Sequence, residues 1–363
     1  MKLLFYLHHP AQFHLFKHTI DILKSKQHEV KILATKKDIL EKLLKEKGYE
    51  YINVLPDGRG DSKFSIALGL LKQDIRLFKI CISYKPDLLI GTSTEITHIG
   101  KLLNIPSLFF IEDDITVVPL VAKLAHPFAT HIVTPAVCDV GKWTHKSLKY
   151  EGYQKLAYLH PDLFTPDIKV VEKYLNPAKP YFIIRLAKLK AHHDTGISGI
   201  NKLLLDNIIE ILKTKGQVFI TTEKAVSNEY SEYIINIDSS DIHHLLYFSK
   251  MLIGDSQSMA VEAAMLGTPS IRISDFSGRI SVLEELEHVY KLTFGIKPEN
   301  EKEILSKVRE LSDEQTEIEA LFKKRREKLL ADKINVTEFI VWLIENYPKS
   351  VEIFQLNPQY LTF

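Results

Sequence analysis

The chain has 363 residues, and its 47 Lys and Arg balance 46 Asp and Glu to leave a formal net charge of +1 at pH 7. That length predicts two or three domains with sizeable cores. A charge so near zero supplies no global basic field for nucleic acid or an anionic membrane. Cys81 and Cys138 stand far apart among apolar residues and read as buried free thiols of a reducing compartment. No apolar run approaches the ~18 residues of a membrane-spanning helix.

Leu3 to Leu7 is an apolar strand, too short for a signal peptide and followed by no small-residue cleavage site. The expected location is therefore the cytoplasm. His8-His9-Pro10 turns the chain, and Gln12 to Lys26 carries Phe13, Phe16, Ile20 and Leu23 on one helical face. Strands Glu29 to Ala34 and Tyr51 to Leu55 flank a helix from Asp38 to Lys47, which Gly48 stops. This βαβαβ run predicts a parallel sheet covered by helices. The polar loop Pro56 to Lys63 contains Arg59-Gly60-Asp61, whose cell-adhesion reading needs an extracellular protein. Ser65 to Tyr84 is a long amphipathic helix that either packs on the sheet or touches a lipid acceptor. Strand Leu88 to Gly91 ends in the polar turn Thr92 to Glu95, before a short helix to Leu103. Strand Ser107 to Ile111 ends in Glu112-Asp113-Asp114. Ile115 to Ala125 reads as a helix broken by Pro119, and Thr130 to Val133 as a strand.

Residues 135–178 mix Trp143, Tyr150, Tyr153, Tyr158 and Phe164 with prolines. This reads as an interdomain crossing whose aromatics contact a ligand or simply pack. A second α/β unit follows. Its expected strands are Tyr181 to Arg185, Gln217 to Thr221, Tyr233 to Ile237, Met251 to Ile253 and Ser270 to Ile273. Helices fall at about 198–214, 239–249 and 257–266. Glu301 to Leu311, Glu314 to Leu330 and Val336 to Asn346 are further helices, and an apolar tail starts at Tyr347. The domains read as 1–165, 178–346 and a tail, 347–363.

One stretch carries most of the chemistry. Met251 to Ile273 reads strand, tight polar turn, helix, Gly267-Thr268-Pro269 stop, strand. Asp255, Ser256, Gln257 and Ser258 sit where a helix begins, and unpaired N–H groups with the positive helix end make such a turn a seat for a phosphate. Glu262 is one turn too deep to close a capping box with Ser256 or Ser258. A carboxylate there suits the two ribose hydroxyls beyond a diphosphate; a solvated Glu on a crossover helix is the plain alternative.

Other strand ends offer partners. Arg185 closes the apolar run Phe182 to Ile184, and Arg272 has the same placement, where a guanidinium matches phosphate or pairs with a carboxylate. His192 and His193 are candidates for phosphate or sugar contact. The acids Glu112, Asp113 and Asp114 repel one another, so at least one pKa is expected to rise and poise a general base or an acid/base pair; a helix cap or solvated loop is the alternative. His9 and His14 are candidates for a second base. His14 and His18 have one metal-ligand spacing, but no cysteine or HExxH pattern accompanies them, and the scheme needs no metal.

Two successive Rossmann-like units with the stretch GDSQSMAVEAAMLGTP, Gly254 to Pro269, resemble the GT-B fold, two facing Rossmann-like domains with a central cleft. The stretch is similar to the nucleotide-binding segment of non-hydrolysing UDP-N-acetylglucosamine 2-epimerases and related glycosyltransferases. That resemblance implies that Ser256 and Ser258 hold the diphosphate and Glu262 the ribose. Segments His8 to Asp38, Lys85 to Glu95, Phe110 to Asp114, His131 to Pro135 and Ile183 to Gly196 together resemble the family numbered 354 among the domains of unknown function. The GTRPE-like opening of the epimerases is His8-His9-Pro10 here, and their HVEAGLR-like segment is Phe110 to Asp114. The departures fall on the catalytic half more than the nucleotide half.

The expected function is therefore a metal-independent, glycosyltransferase-like enzyme acting on a nucleotide-diphosphate sugar, UDP-sugar first. Its C-terminal half would bind the donor, and its N-terminal half would hold a glycan or lipid-linked acceptor and supply the base. Cell-envelope polysaccharide synthesis is the implied setting, in the cytoplasm or peripherally at the inner membrane face. No cofactor is expected beyond the nucleotide sugar as substrate. A 2-epimerase and a non-catalytic nucleotide-sugar-binding protein are the alternatives.

Overall fold

Five successive buried apolar residues, Leu3 to Leu7, make β1 (Lys2–Leu7) a strand covered on both faces, the mark of a parallel sheet. In the computed structural model, which describes residues 1–35, 39–56, 63–186, 200–222, 228–275, 277–313 and 315–356, β1 is an interior strand of a seven-stranded parallel sheet. The others are β2 (Glu29–Thr35), β3 (Ile52–Leu55), β4 (Leu88–Gly91), β5 (Ser107–Phe110), β6 (His131–Pro135) and β7 (Ser147–Tyr150), in the order β3-β2-β1-β4-β5-β6-β7. Helix Lys63–Tyr84 crosses from β3 to β4, and its Leu77, Cys81 and Tyr84 pack on Leu4, Tyr6, Leu33 and Leu89. Cys81 and Cys138 are buried free thiols.

The second sheet has five parallel strands, β8 (Tyr181–Leu186), β9 (Gln217–Thr222), β10 (Met251–Gly254), β11 (Ser270–Ile273) and β12 (Thr293–Ile296), in the order β12-β11-β10-β8-β9. The chain divides into Met1–Tyr158 with Lys333–Phe363, and Leu159–Asp332.

Strand order reverses once in each sheet, between β1 and β4 in the first and between β8 and β10 in the second. The crevice at the carboxyl ends of two such strands is where open α/β sheets take ligands. These switch points put His8 with Thr92 to Glu95 in one unit, and Arg185 with Gly254 to Ser256 in the other.

Several elements differ from expectation. Helix Val336–Glu345, expected in the second domain, belongs to the first unit, because its apolar face needs cover and finds it on helix Pro10–Ser25 and on Tyr150. Thr337 Oγ1 donates to the Ala157 carbonyl at 2.7 Å and fixes that return. The tail is helical over Lys349–Leu356, with Val351 and Phe354 buried. Tyr233 to Ile237 forms only an isolated bridge, Ile220 to Ile234, and no strand. Part of the expected crossing is β7, an edge strand. β12 and the helix Ser281–His288 before it were not expected. Pro119 starts a helix, Pro119–Ala125, at its first residue instead of breaking one, since a missing N–H costs nothing there.

Candidate functional site

In the second unit one lateral row crosses the sheet near its carboxyl edge. The register pairs Thr221 with Arg185, Arg185 with Gly254, Gly254 with Arg272, and Arg272 with Gly295. Neighbouring strands lie ~4.8 Å apart, so the two arginines flank Gly254 from strands about 10 Å apart. A Cβ on Gly254 would stand 2.3 Å from the Arg185 carbonyl oxygen, so only glycine lets β8 and β10 close here. Gly254→Ala is expected to cost about 1–3 kcal/mol by overpacking. Urea unfolding measures it; wild-type stability in that variant would mean that the strands part freely at this point.

Ser256 is the N-cap of helix Gln257–Leu266, its Oγ accepting from Met259 N–H at 3.3 Å. The N–H groups of Gln257 and Ser258 have no acceptor within the helix and open at its positive end. Gly267 takes φ 78° as the left-handed stop. Asp255 and Gln257 are half-buried and Ser258 is exposed.

Arg272 is placed inward. Its side chain is fully buried, Nη1 donates to Gln257 Oε1 at 2.9 Å, and Nη2 lies 3.9 Å from Glu287 and 4.0 Å from Glu284. Gln257 Nε2 in turn donates to Ser274 Oγ at 2.7 Å. Arg272 thus holds the first helical residue and places a cation behind the turn. Burial lowers its pKa, and Glu287 and Glu284 oppose that. The two glutamates come from the helix absent from the sequence reading. Arg185 is half-buried at the end of β8.

Glu262 lies deeper on the same helix, its carboxylate 3.5 Å from His243 Nε2. His243 comes from helix Ile242–Phe248 and is buried. The ring of Phe164 stands edge-on to His243 at 6.1 Å and tilted against His244 at 4.8 Å. His244 Nδ1 accepts from Asp167 N–H at 3.0 Å, and burial lowers its pKa. A carboxylate beside an imidazole that in turn meets an aromatic ring is suited to a sugar hydroxyl pair next to a flat ring. His243 was not singled out in the sequence, where only a helix at about 239–249 was expected. Phe164 carried a signal only as one of several connector aromatics. His192 and His193 lie outside the described residues, as does the Arg59-Gly60-Asp61 tripeptide.

In the first unit Gln12 organises the switch point. Its Oε1 accepts from His8 N–H at 2.6 Å and His9 N–H at 3.3 Å, and its Nε2 donates to Thr92 Oγ1. His9 is the N-cap of helix Pro10–Ser25, its Nδ1 accepting from Ala11 N–H at 3.2 Å. The pair His9 and Gln12 forms a capping box, whose spacing in the sequence was a usable signal. His14 is half-buried against Tyr158 and Phe13, at ring distances of 5.2 and 5.4 Å. Glu95, the last residue of the polar turn expected at this strand end, is buried beside Thr94, and burial raises its carboxyl pKa.

The three acids after β5 separate into two roles. Glu112 accepts from Gln154 N–H at 2.6 Å and from Lys155 Nζ at 2.8 Å. Asp114 is buried and accepts from Asp139 N–H at 2.7 Å. Asp113 alone is exposed. The protein mass around it raises its pKa, with Glu112 adding to the shift, Lys155 opposing it and Asp114 adding a little more. The pKa rise expected within the cluster is found at Asp113, the most exposed of the three.

The chain is similar in fold to nucleotide-sugar enzymes. It superposes on UDP-GlcNAc 2-epimerase from Neisseria meningitidis bound to UDP-GlcNAc with a TM-score of 0.70 at 14% identity, covering 95% of this chain and 100% of that one. MnaA of S. aureus with UDP gives a TM-score of 0.66 at 14% identity, covering 100% and 99%. The spinosyn forosaminyltransferase SpnP gives 0.62 at 12% identity, covering 94% and 99%. At such identities the likeness is one of fold, and the fold is GT-B, with parallel sheets of seven and five strands. No curated protein matches the chain in sequence. The family model described as "Protein of unknown function (DUF354)" matches residues 2–332, and the chain belongs to that family.

Proposed function

We propose that the chain is a glycosyltransferase-like enzyme acting on a UDP-sugar. The carrying observation is the arrangement in the second unit: a helix N-terminus at Ser256 to Ser258 following Gly254, which pairs in register with Arg185 and Arg272, and Glu262 further along the helix beside His243, whose ring Phe164 faces. A diphosphate meets the N–H groups of Gln257 and Ser258 and the charge of Arg185. Arg272 acts behind them through Gln257. The ribose hydroxyls then fall to Glu262 and the base to the Phe164 ring. As the sugar–phosphate bond breaks, negative charge grows on the diphosphate, and these preset donors stabilise it without rearrangement.

The first unit supplies the base. Asp113 is exposed with a raised pKa, which makes it a stronger base than an ordinary Asp toward the proton of an acceptor hydroxyl. Glu112 and Asp114, bonded inward, position the turn that carries it. His9 and His14 act as a cap and a packed ring, and His8 and Glu95 lie at the switch point as further polar contacts for the acceptor.

A 2-epimerase is the second reading, favoured by the similarity to epimerase structures. The two readings separate in deuterated water with UDP-GlcNAc as the only substrate. An epimerase incorporates deuterium at the sugar carbon; a transferase leaves the sugar unlabelled and releases UDP only when an acceptor is added. Deuterium uptake would overturn the transferase reading.

A further inference from the structure

The helices on one side of the first sheet carry an apolar stripe that faces outward. On helix Lys63–Tyr84, Leu68 is exposed, as are Leu71 at 55%, Ile75 at 47% and Ile82 at 53%. Each helical residue turns the chain by about 100°, so spacings of three, four and seven place all four within a strip about 60° wide and about 21 Å long. The opposite face of the same helix fills the core, so the stripe is not needed for folding. Helix Thr94–Leu103 packs beside it and helix Pro119–Ala125 beside that, adding exposed Leu102 and Leu120.

The charges on these three helices have one sign outward. Lys72, Lys79, Lys101 and Lys123 are exposed. The acids are Asp74, bonded to His98 at 3.2 Å, and Glu95, which is buried. We propose that this face docks the protein on an anionic lipid bilayer. Leucine and isoleucine enter the headgroup boundary while the lysines reach back to the anionic headgroups. A second copy of the chain would set lysines against lysines with no exposed acid on these helices to answer them; an anionic headgroup layer answers each one. The near-zero net charge does not oppose this, because screening over ~8 Å makes the field a local one. No helix among the described residues is long and apolar enough to cross a membrane, so the contact is peripheral. The proposal stands independently of the nucleotide reading.

Co-sedimentation of the full chain with vesicles tests it. Vesicles of phosphatidylcholine and phosphatidylglycerol in equal parts are expected to carry the protein down, and phosphatidylcholine alone is not. Lys72→Gln with Lys79→Gln should lower the partition coefficient about thirtyfold. Leu71→Glu with Ile75→Glu should abolish it, with unchanged melting temperature since both side chains are exposed. Equal recovery with both vesicle types, or none with either, overturns the proposal. So does a dimer in light scattering that the Leu71 and Ile75 pair converts to monomer in a protein that ignores vesicles, because a second copy then covers the stripe.

Discussion

Asp113→Asn is expected to lower turnover by roughly 10²–10⁴, the usual contribution of a general base, while leaving the melting temperature in place. The asymmetry within Glu112-Asp113-Asp114 carries this. Glu112 and Asp114 are consumed by Lys155 and by backbone N–H groups, whereas Asp113 faces solvent with a raised pKa. A base works in its deprotonated form, so activity is present above that raised pKa and falls as pH drops through it. The acid limb of kcat/KM should therefore lie above the ordinary Asp value of ~3.9 and vanish in the Asn variant. Glu112→Gln should act differently. It leaves the Lys155 ammonium, which is buried, without its carboxylate and costs about 3 kcal/mol of stability. Wild-type turnover in Asp113→Asn, with the loss appearing in Glu112→Gln at unchanged stability, would move the base to Glu112.

Glu262→Ala is expected to raise the Kd for UDP and for UDP-sugars alike by about 10–100-fold. Hydrogen bonds to a charged group contribute about 1.5–3 kcal/mol, and two vicinal hydroxyls share this carboxylate. The loss should be equal for UDP and UDP-sugar, because the ribose is common to both, and smaller for a 2′-deoxy analogue, which lacks one of the hydroxyls. Titration calorimetry reads it directly. The competing role for Glu262 is pairing with His243 alone, at 3.5 Å. In that case Glu262→Ala lowers stability and leaves the Kd for UDP where it was.

The strand, polar turn and helix of the proposed nucleotide seat were legible because their signal is local. Small polar residues between an apolar strand and a helix, with a glutamate out of capping register, mark Gly254 to Glu262 within a dozen residues. Arg185 and Arg272 were legible as strand ends, but not their division of labour. What turns Arg272 inward is Glu284 and Glu287, from a helix whose charged sequence, SVLEELEH, gave no sign of a following strand. β12, Thr293–Ile296, is four residues long and contains a glycine, so neither length nor alternation announced it. Tyr233 to Ile237 failed in the other direction. Its apolar pattern suits a strand, but beside β9 only Ile234 finds a bridge before the polar run Asp238 to Asp241 ends pairing. The return of helix Val336–Glu345 to the first unit rests on contacts far apart in sequence, from Thr337 to the Ala157 carbonyl and from Lys26 Nζ to Glu345 at 2.6 Å, which no local pattern encodes. Likewise the acids 112–114 read as one cluster in sequence, and only the tertiary donors Lys155, Gln154 and Asp139 separate them.

The most direct measurement is a thermal-shift series of the full chain with UDP, UDP-GlcNAc, other nucleoside-diphosphate sugars and the free sugars. Binding to the native state alone raises the melting temperature by mass action, by about 2.7 kcal/mol of stability at a hundredfold excess over Kd. UDP and UDP-sugars should stabilise the chain by an amount that grows with the logarithm of their concentration above Kd, free sugars should not, and Glu262→Ala should lose most of the shift. No stabilisation by any nucleotide at millimolar concentration would contradict the nucleotide seat, and with it the proposed function.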